Sequence, residues 1–494
     1  MKPVRTRFAP SPTGYLHVGG IRTALFAWLL ARQAGGAFVL RFEDTDKKRE
    51  VEGSREHLIK SLLTLGLEYD EGPDIGGPFA PYTQSERLQS YQTWAQVLID
   101  TGRAYADPYT SEEVQAFREQ AQAEKKPFLY RNHRPENPPK WDGSTPLRFK
   151  SEPKDYRWED AIMGESRAGA EAVDDFILIK SDGFPTYNFA HIIDDHEMEI
   201  THVIRGQEFI SSMPNYLNLY EALEFEIPIL AHAPHVLGPD GKKKLGKRDG
   251  AKDVLDYIRD GYLPEALVNF IASLGWNDGT EQEIFTREEL IEKFSLERVQ
   301  RSGARFDEDR LLWMNGHWIR SLNLDELYAR TLVIPAKAGI QSVDSSRSDH
   351  ISYWPKESEN YPESYKKQVL GLIQERLKYF KEIPELTAFF FEDLPVNREL
   401  IDGNKQLKKF EHAELKGWLE QAKASLQESD FSAANLTERL NELLEATGQK
   451  PGVLFSLIRI ATTQAPFSPS LAETLAVLGK DTALRRIDAQ LAAL

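Results

Sequence analysis

Apolar and polar residues follow two different periods near the start of the chain. The run VRTRFA (residues 4–9) is typical of a short strand, and AFVLRFEDTD (residues 37–46) predicts a second strand that ends in acidic residues. Between them, IRTALFAWLLARQAGG (residues 21–36) carries apolar side chains at helical spacing, namely Ile21, Leu25, Trp28 and Leu29. Gly35 and Gly36 end this helix. The order strand, loop, helix, strand predicts a parallel α/β unit.

The pattern changes several times after this unit. Residues 105–180 are polar and rich in proline, which indicates an insertion with a small fold of its own, and residues 174–209 alternate strand-like runs with turns. The acidic run DDHEME (residues 194–199) is predicted to be a solvated loop rather than a metal site, because neighbouring residues of a strand point to opposite faces. From about residue 251 the apolar spacing becomes helical. Residues 329–362 interrupt it, and the middle of this segment is expected to be a surface insertion.

Composition limits the possible classes of protein. A chain of 494 residues is too long for one core and predicts about three to five domains. It has no cysteine, which excludes disulfides and thiol nucleophiles and favours a cytoplasmic location. No apolar run approaches the roughly 18 residues of a membrane-spanning helix, and the N-terminus resembles no secretory signal. The net charge of −16 argues against a nucleic-acid partner unless local basic patches make the contact.

The first candidate site is the loop RFAPSPTGYLHVGG (residues 7–20), which lies between the predicted strand and the helix. A helix N-terminus offers unpaired N–H groups and a partial positive charge, so it can bind a phosphate. Gly19 allows close approach to the backbone, and His17 can donate a hydrogen bond to phosphate oxygens. The alternative is a Pro/Gly turn with a surface histidine, and this stretch alone does not decide between the two.

The second candidate site is the basic run KKKLGKR (residues 242–248), which has five basic residues in seven. It lies in the glycine-rich stretch GPDGKKKLGKRDG. Lysines that reach a triphosphate in the transition state would lower the barrier electrostatically. A solvated turn is the alternative, and it is the better explanation for an isolated lysine run.

The two sites together match the HIGH and KMSKS signatures of class I aminoacyl-tRNA synthetases. The HIGH-type motif comprises Pro10, Ser11, Pro12, Thr13, Gly14, Tyr15, Leu16, His17, Val18, Gly19 and Gly20. The KMSKS-type motif comprises Lys244, Leu245, Gly246, Lys247 and Arg248. With RFEDTD, DGFPTYNFAHIIDDHEMEITHVIRGQE, ARFDEDRLLWMNGHWIR and SPSLAETLAVLGKDTALRRID, these motifs make nearly the whole chain similar to bacterial-type glutamyl-tRNA synthetases.

This resemblance implies an α/β Rossmann-type catalytic domain with a parallel sheet, an α/β insertion, a helix-rich stem-contact domain and an all-α anticodon-binding domain. The expected boundaries are 1–104 and 187–250 for the two catalytic halves, 105–186 for the acceptor-binding insertion, 251–328 for the stem-contact domain and 329–494 for the anticodon-binding domain. Residues 334–350 would be the surface insertion.

The resemblance also implies a substrate. Glutamate carries two carboxylates and one ammonium group, so a selective pocket needs cations and an anion. Arg7 and Arg205 match the carboxylate-binding arginines of the family, and Glu43 matches the residue that receives the amino group. Ser11 and Tyr187 match further pocket contacts. For Arg205, a structural ion pair with a neighbour such as Glu208 is the alternative.

ATP would lie over the HIGH-type motif and be held by the lysine loop. The resemblance places His17, Gly19 and Gly20 at the phosphates and adenosine, with Lys247 and Lys244 on the triphosphate. His17, Lys244 and Lys247 are the expected catalytic residues. The glutamate α-carboxylate would attack the α-phosphorus, so no protein nucleophile is needed, and Mg²⁺ would be bound largely by phosphate oxygens and water. The glutamyl group then moves to the 3′-terminal adenosine of tRNA, and in this family the first step normally waits for tRNA.

The chain departs from the family pattern at three places. Gly246 stands where a serine is frequent, which removes a hydroxyl and loosens the loop. His191 occupies a position that varies among relatives, so it receives no role. Some relatives bind zinc through cysteines of the insertion, but here Ala106 and Pro108 stand at those positions. Because His133 alone cannot hold the ion, we predict no zinc site.

The partners expected are tRNA(Glu), L-glutamate and no membrane, and we expect a monomer. Lys125, Lys126, Arg131 and Arg134 are candidates for the acceptor end. Trp418, Phe455 and Arg459 are candidates for the anticodon, although core packing is the better prediction for the two aromatic residues. The alternatives are an enzyme that also charges tRNA(Gln) and a catalytically inactive RNA-binding protein. The intact motif residues disfavour the inactive protein.

Overall fold

The computed structural model describes residues 2–246, 252–332, 353–465 and 467–494. The chain forms two compact units, of which the first comprises Met1–Tyr257 and Pro264–Glu308, and the second comprises Ile258–Leu263 and Asp309–Leu494. Lys247, Arg248 and the predicted surface insertion at 334–350 lie outside the described residues. The five-part division of the chain therefore stays a prediction.

The strands in the described ranges are short and belong to the first unit. They are β1 (Arg5–Phe8), β2 (Ala37–Leu40), β3 (Ala104–Ala106), β4 (Leu147–Phe149), β5 (Tyr156–Asp160), β6 (Gly164–Ala168), β7 (Ile177–Ile179), β8 (His202–Gly206), β9 (Ile229–Ala233), β10 (Val236–Leu237) and β11 (Ala304–Arg305).

The helices up to residue 293 are α1 (Val18–Gln33), α2 (Ser54–Thr64), α3 (Leu88–Asp100), α4 (Ser111–Ala123), α5 (Tyr187–Glu197), α6 (Met213–Leu223), α7 (Val254–Asp260), α8 (Pro264–Ala272) and α9 (Arg287–Lys293). The later ones are α10 (Glu308–Ser321), α11 (Leu324–Leu332), α12 (Glu363–Ile373), α13 (Ile383–Phe391), α14 (Glu399–Asp402), α15 (His412–Gln427), α16 (Ala433–Thr447), α17 (Pro451–Thr463), α18 (Leu471–Leu478) and α19 (Lys480–Ala493).

The main sheet has six strands in the order β2-β1-β8-β9-β5-β6. All neighbouring pairs are parallel except the hairpin of β5 and β6. The predicted unit of β1, α1 and β2 is confirmed, with Arg7 of β1 in register with Val39 of β2. The hairpin lies within the range 105–186 predicted for the insertion, yet it extends the main sheet. The insertion and the catalytic domain therefore share one sheet.

The rest of the insertion builds a second, three-stranded antiparallel sheet of β3, β4 and β7. Helix α4 precedes β4 and begins with a capping box, in which the Thr110 hydroxyl accepts from Glu113 N–H while the Glu113 carboxylate accepts from Thr110 N–H. A buried ion pair between Arg148 and Asp107 (2.7 Å) lies beside this sheet. The insertion thus has its own polar interior in addition to the hairpin that it contributes to the main sheet.

The prediction for residues 194–199 is wrong. Asp194 and Asp195 lie on helix α5, whose residues were expected to form strands and turns, and both side chains are buried. Asp194 accepts a hydrogen bond from Arg87 Nε (2.7 Å), and Asp195 binds two other arginines. A buried carboxylate needs such partners because burial without them would cost several kcal/mol. Asp194, Asp195 and Met198 of this run therefore belong to the core, while His196 and Glu199 are exposed.

The second unit is helical. Helices α15 to α19 pack around a core of buried leucine, isoleucine, valine and alanine side chains that includes Leu419, Leu440 and Leu457. Trp418 and Phe455 pack against this core, which confirms core packing as the prediction for these aromatic residues. Within the ranges that the structure describes, no helix has the length and apolar character needed to span a membrane.

Candidate active site

The carboxyl edge of the main sheet holds a cavity of about 240 Å³. Six residues of the sequence prediction line it: Arg7, Ser11, Gly20, Glu43, Tyr187 and Arg205. They come from β1 and β8, from the segment after β2, from the loop before α1 and its first turn, and from the start of α5. Open α/β sheets bind their ligands at this edge. A larger cavity of about 970 Å³ lies at the amino ends of the strands and is lined by none of the predicted residues.

His17 begins helix α1. Its backbone is extended (φ −104°, ψ 169°), and its Nδ1 accepts a hydrogen bond from Gly19 N–H at 3.1 Å. The imidazole therefore takes the place of an N-cap side chain. Because Nδ1 accepts, the neutral ring carries its proton on Nε2. The structure places His17 at the N-terminus of this helix, as the sequence predicted.

The two glycines of the first turn of α1 lie close to neighbouring side chains. A Cβ atom at Gly19 would lie 3.2 Å from His17 Cε1, and one at Gly20 would lie 2.6 Å from Leu16 Cδ1. A side chain at Gly19 would press on the imidazole, and one at Gly20 would require the end of the Leu16 side chain to move. Glycine at position 19 thus leaves the histidine room in its capping position.

The lysine loop leaves strand β10 and returns to the same helix N-terminus. Leu245 N–H donates to Val236 O (2.8 Å), so residues 236–245 form a hairpin, and Lys244 Nζ pairs with Glu208 Oε1 at 3.2 Å. After residues 247–251, which lie outside the described part, Asp253 forms a backbone bridge with His17. Both ends of the loop are therefore tied to the catalytic unit, and its second end lies directly beside His17.

Arg7 belongs to a balanced buried network. Its Nε and Nη2 donate to the carboxylate of Asp195 (3.0 and 3.3 Å), and Arg41 Nη1 donates to the same carboxylate at 2.8 Å. Arg41 Nη2 also donates to Glu43 Oε1 at 3.0 Å. Burial raises the pKa of Asp195, but Arg7 and Arg41 outweigh it and hold this pKa well below its ordinary value. Arg41 Nε also lies 3.7 Å from Asp194, which pairs with Arg87, so three buried guanidinium groups face three buried carboxylates.

Glu43 is the carboxylate of this network that borders the cavity. Burial raises its pKa and Arg41 and Arg7 lower it, and the balance leaves the pKa at about 7. Glu43 is therefore poised between its neutral and ionised forms near neutral pH. A cationic group bound beside it would favour the ionised form.

Arg205 differs from Arg7 because it is buried without an anionic partner. Its Nε donates to His232 Nε2 (3.1 Å), its Nη1 lies 3.3 Å from His191 Nε2, and Nη2 lies 3.1 Å from Met213 Sδ. Among the residues that the structure describes, no Asp or Glu forms an ion pair with it. The alternative pair with Glu208 is not formed, since Glu208 contacts Lys244 and His235.

Aromatic rings complete the surroundings of Arg205. Its guanidinium carbon lies 4.9 Å from the ring centre of Phe209 and 5.0 Å from that of Tyr216. The Tyr187 ring stacks on those of His191 (4.7 Å) and Phe209 (5.2 Å). Burial and the nearby Arg205 lower the pKa of His191 to about 3, so this imidazole is neutral. An uncompensated cation in such a setting favours an anionic ligand.

Several residues around the site were not predicted. Arg41, Asp160, Phe209 and His232 contact the predicted residues directly or through one neighbour. His232 and Asp160 stand at or next to the carboxyl ends of β9 and β5, where parallel strands present functional side chains. The position of His232 near the end of a strand could have marked it as a candidate for the site. To connect it with Arg205, however, one would have had to know that β9 is the neighbour of β8. Asp160 required the pairing of the hairpin with β9.

A second cavity of about 510 Å³ adjoins the first, with Ser11, Glu43 and Tyr187 lining both. Its other wall carries four basic residues, Lys47, Lys48, Arg49 and Lys180, together with two acidic ones. Arg49 pairs with Asp46 (2.6 Å) and Lys180 pairs with Asp182 (3.0 Å). Within the described ranges, no three His, Asp or Glu side chains are grouped to hold a metal ion. The expectation of no zinc stays a prediction.

The parallel sheet, the capped helix N-terminus and the lysine hairpin define a class of protein. The family model described as "tRNA synthetases class I (E and Q), catalytic domain" matches residues 3–313, and that described as "Anticodon binding domain" matches residues 348–491. The protein therefore has the two-part organisation of a class I aminoacyl-tRNA synthetase.

Similar whole proteins narrow this class. The chain is 42% identical over 489 residues to a glutamate–tRNA ligase of Dehalococcoides mccartyi, with 98% of this chain and 96% of that protein covered. It is 42% identical over 502 residues to one of Herpetosiphon aurantiacus, with 100% and 98% covered. A crystal structure of a glutamate tRNA ligase from Elizabethkingia meningosepticum in complex with its amino acid has a TM-score of 0.85 at 32% identity, with both chains fully covered. The chain belongs to the glutamate–tRNA ligase family.

Proposed function

We propose that this protein attaches L-glutamate to tRNA(Glu) in two steps, with ATP consumed in the first. The observation that carries the proposal is Arg205, a buried cation that receives no carboxylate partner from the described part of the chain and lies at the cavity that Arg7 and Glu43 also line. Glutamate supplies the missing anion. It also supplies an ammonium group for Glu43, whose pKa of about 7 allows it to ionise when that group binds.

The chemistry of the reaction assigns the two substrate carboxylates. The α-carboxylate must reach the α-phosphorus of ATP, so it has to lie toward the N-terminus of α1. The deeply buried arginines then bind the side-chain carboxylate, with Arg205 supplying the unbalanced charge and Arg7 supplying further N–H donors. Ser11 and Tyr187 line the same cavity and are assigned as further contacts. This arrangement would discriminate against glutamine, whose amide carries no charge.

ATP would bind at the first turn of α1. Its phosphates would meet the N–H groups beside Gly19 and Gly20 and the Nε2–H of His17. Lys244, on the described half of the lysine hairpin, and Lys247 would stabilise the charge that develops as the α-carboxylate attacks and pyrophosphate leaves. Mg²⁺ would supply further charge neutralisation while bound to the phosphates. No side chain need form a covalent intermediate, so catalysis would rest on positioning.

The tRNA would meet both units. The second cavity, with its four basic residues, adjoins the glutamate cavity and suits the 3′ end of an acceptor strand. In the insertion, Arg134 donates to Asp175 (2.7 Å) and Ser151 O (2.6 Å), so most of its donors hold the insertion itself. Lys47 and Lys180 are engaged as well, with Asp44 and Asp182, so Lys48 is the better candidate for a phosphate contact. The affinity for tRNA is expected to fall steeply with salt despite the net charge of −16.

Charging assays with purified tRNA(Glu) and tRNA(Gln) test the proposal. Labelled glutamate, but not labelled glutamine, should be transferred to tRNA(Glu), and ATP–pyrophosphate exchange should require tRNA. Charging of tRNA(Gln) with glutamate would identify a non-discriminating enzyme. The absence of exchange with either tRNA would overturn the proposal in favour of an inactive RNA-binding protein. Sedimentation of the same preparation tests the expected monomer, and the cytoplasmic location stays a prediction.

A further inference from the structure

The carboxyl edge of the sheet presents a row of polar side chains from adjacent strands. In spatial order they are Asp160 of β5, His232 of β9, Arg205 of β8 and Arg7 of β1. Arg205 and His232 are register partners, so their side chains project from the same face of the sheet. Arg7 is fixed by Asp195, as described above. Arg205 has no such carboxylate, and its orientation must come from its neutral neighbours.

The protonation of His232 is determined by Asp160. His232 Nδ1 lies 2.5 Å from Asp160 Oδ2, and both side chains are buried. Asp160 Oδ1 accepts three backbone N–H groups, those of Ile162 (3.0 Å), Met163 (2.9 Å) and His232 (3.2 Å). Burial raises the pKa of Asp160, but the hydrogen bond with the His232 side chain, followed by those from the backbone N–H groups of Met163 and His232, outweighs it and the pKa falls below its ordinary value. An ionised Asp160 keeps the proton on Nδ1, and His232 Nε2 is then the acceptor for Arg205 Nε–H.

We infer that Asp160 and His232 are positioning residues that determine which edge of the Arg205 guanidinium meets the substrate. With Nε–H donated to His232, a carboxylate cannot use the edge formed by Nε and Nη2. The edge formed by Nη1 and Nη2 remains, and each of these nitrogens has a second hydrogen beyond the contacts to His191 and Met213. The hydrogen-bonded series from Asp160 through His232 to Arg205 is called the relay below. Its function rests on the proposed role of Arg205 in glutamate binding. It also gives the insertion hairpin, through Asp160, a direct part in that site.

Replacement of Asp160 by asparagine is the sharpest test, because the structure determines how the new amide must lie. The three backbone N–H groups need an acceptor, so the asparagine oxygen stays on them and the amide NH₂ faces His232. The imidazole must then accept at Nδ1 and carry its proton on Nε2. That proton opposes Arg205 Nε–H, so the relay is broken without any loss of side-chain volume.

Steady-state charging at saturating tRNA gives the readout. In Asp160→Asn and in His232→Leu, the KM for glutamate should rise about 10- to 100-fold, which is the loss expected from one hydrogen bond to a charged group. The KM for ATP should stay unchanged, and kcat should change less than the glutamate KM. His232→Gln offers an amide oxygen near the position of Nε2 and should recover part of the glutamate affinity. Nitrogen-15 NMR of labelled histidine should show the change of tautomer in Asp160→Asn.

Asp107→Asn is a matched control. Asp107 is also a buried aspartate of the insertion, paired with Arg148, but it contacts none of the residues that line the glutamate cavity. This variant should keep the wild-type glutamate KM even if it lowers the melting temperature.

Two results would overturn the relay. One is a wild-type glutamate KM in Asp160→Asn together with the changed tautomer. The other is a rise of the glutamate KM in Asp107→Asn that equals the rise in Asp160→Asn.

The proposed function is tested separately by Arg205→Lys. If that variant loses glutamate affinity while Asp160→Asn and His232→Leu keep it, the relay is wrong and the role of Arg205 in glutamate binding stands. If Arg205→Lys also keeps wild-type affinity, that role is wrong.

Discussion

The cavity proposed to bind glutamate, which Arg7, Glu43 and Arg205 line, and the C-terminal helical bundle have interiors of two different kinds. Around the cavity, Arg7, Arg41, Asp195 and Glu43 are all buried and are held by hydrogen bonds between charged groups. In the bundle of helices α15 to α19, the buried core consists of leucine, isoleucine, valine and alanine side chains. Burial of charge is costly and needs exact partners, whereas burial of apolar groups is favourable and tolerates changes of shape.

This difference indicates which region determines substrate specificity and which determines the free energy of unfolding. A paired network contributes little net stability, since desolvation offsets most of the attraction, but it fixes the orientation of each donor and acceptor. An apolar core contributes about 25 cal/mol per Å² of buried surface and specifies little chemistry. Substitutions in the first region should therefore change substrate use, and they should lower the free energy of unfolding where they leave a buried charge unpaired. Substitutions in the second region should change the free energy of unfolding alone.

Loss of the guanidinium of Arg205 should give the largest effect. In Arg205→Ala the substrate carboxylate loses its unbalanced cation, and kcat/KM for glutamate should fall about 10²- to 10³-fold, as expected for a buried charge pair. Arg205→Lys keeps the charge but loses the planar fork, so it should recover only a small part. Charging kinetics with varied glutamate measure both.

The control for these arginine variants is the KM for ATP, which should not change. A protein that loses glutamate and ATP binding together, with a lowered melting temperature, would indicate general unfolding instead of a pocket defect. Unaltered glutamate kinetics in Arg205→Ala would contradict the assignment of the cavity.

The matching change in the bundle is Leu457→Ala. Leu457 of α17 is fully buried, and its truncation should lower the free energy of unfolding of the helical unit by about 2–5 kcal/mol. The shift of its urea midpoint measures the effect, and Leu457→Met, which conserves volume, should cost less than about 1.5 kcal/mol. Below the transition, the glutamate KM should equal that of the wild type. A changed glutamate KM would break the contrast between the two regions.

The same contrast explains what the sequence could predict. Helical spacing of apolar residues is a local signal, so the bundle and helix α1 were found from residues such as Leu25 and Leu29. Helix α5 was missed because its start follows a turn and its interior contains adjacent isoleucines typical of strands. Its aspartates were then assigned to a loop, although their arginine partners lie on β1, in the segment after β2 and at the start of α3.

The site was predictable only in part for the same reason. Arg7, Glu43 and Arg205 follow from motif positions, but the balance of charge between them depends on which strands are neighbours. The order of β5, β9 and β8 brings Asp160 and His232 to Arg205, and no local pattern shows that order. Sequence reasoning named residues that line the cavity and missed the neighbours that contact them.

A pH titration sharpens the comparison further. Burial raises the pKa of Glu43 to about 7, so this carboxylate is ionised at pH 8 and mostly protonated at pH 6. Its attraction for the substrate ammonium is therefore lost as the pH falls, and the glutamate KM should rise about tenfold between pH 8 and pH 6. Burial and the nearby Arg205 lower the pKa of His191 to about 3, so this ring stays neutral throughout, and burial also lowers the pKa of His232.

Glu43→Gln is the matched control for the titration. It should show a high glutamate KM that no longer depends on pH in this range, while its KM for ATP follows the wild type. A wild-type glutamate KM that is flat from pH 8 to pH 6 would contradict either the raised pKa or the contact with the ammonium group.

The smallest effect is expected for an ion pair on the surface of the bundle. Lys423 of α15 pairs with Asp488 of α19, and the Asp488 side chain is about half exposed. Water and salt screen such a pair, and both side chains lose rotamer freedom when they form it, so its contribution should be within about 1 kcal/mol. A double-mutant cycle with Lys423→Ala and Asp488→Ala, followed by urea unfolding, isolates the coupling free energy of the two side chains.

The buried pair of Arg7 and Asp195 should behave differently, because Asp195→Ala leaves an unpaired buried guanidinium. This variant should lower the free energy of unfolding by about 3–5 kcal/mol. A coupling at the surface as large as that loss would show that the bundle also depends on paired charge, and the distinction between the two interiors would fail.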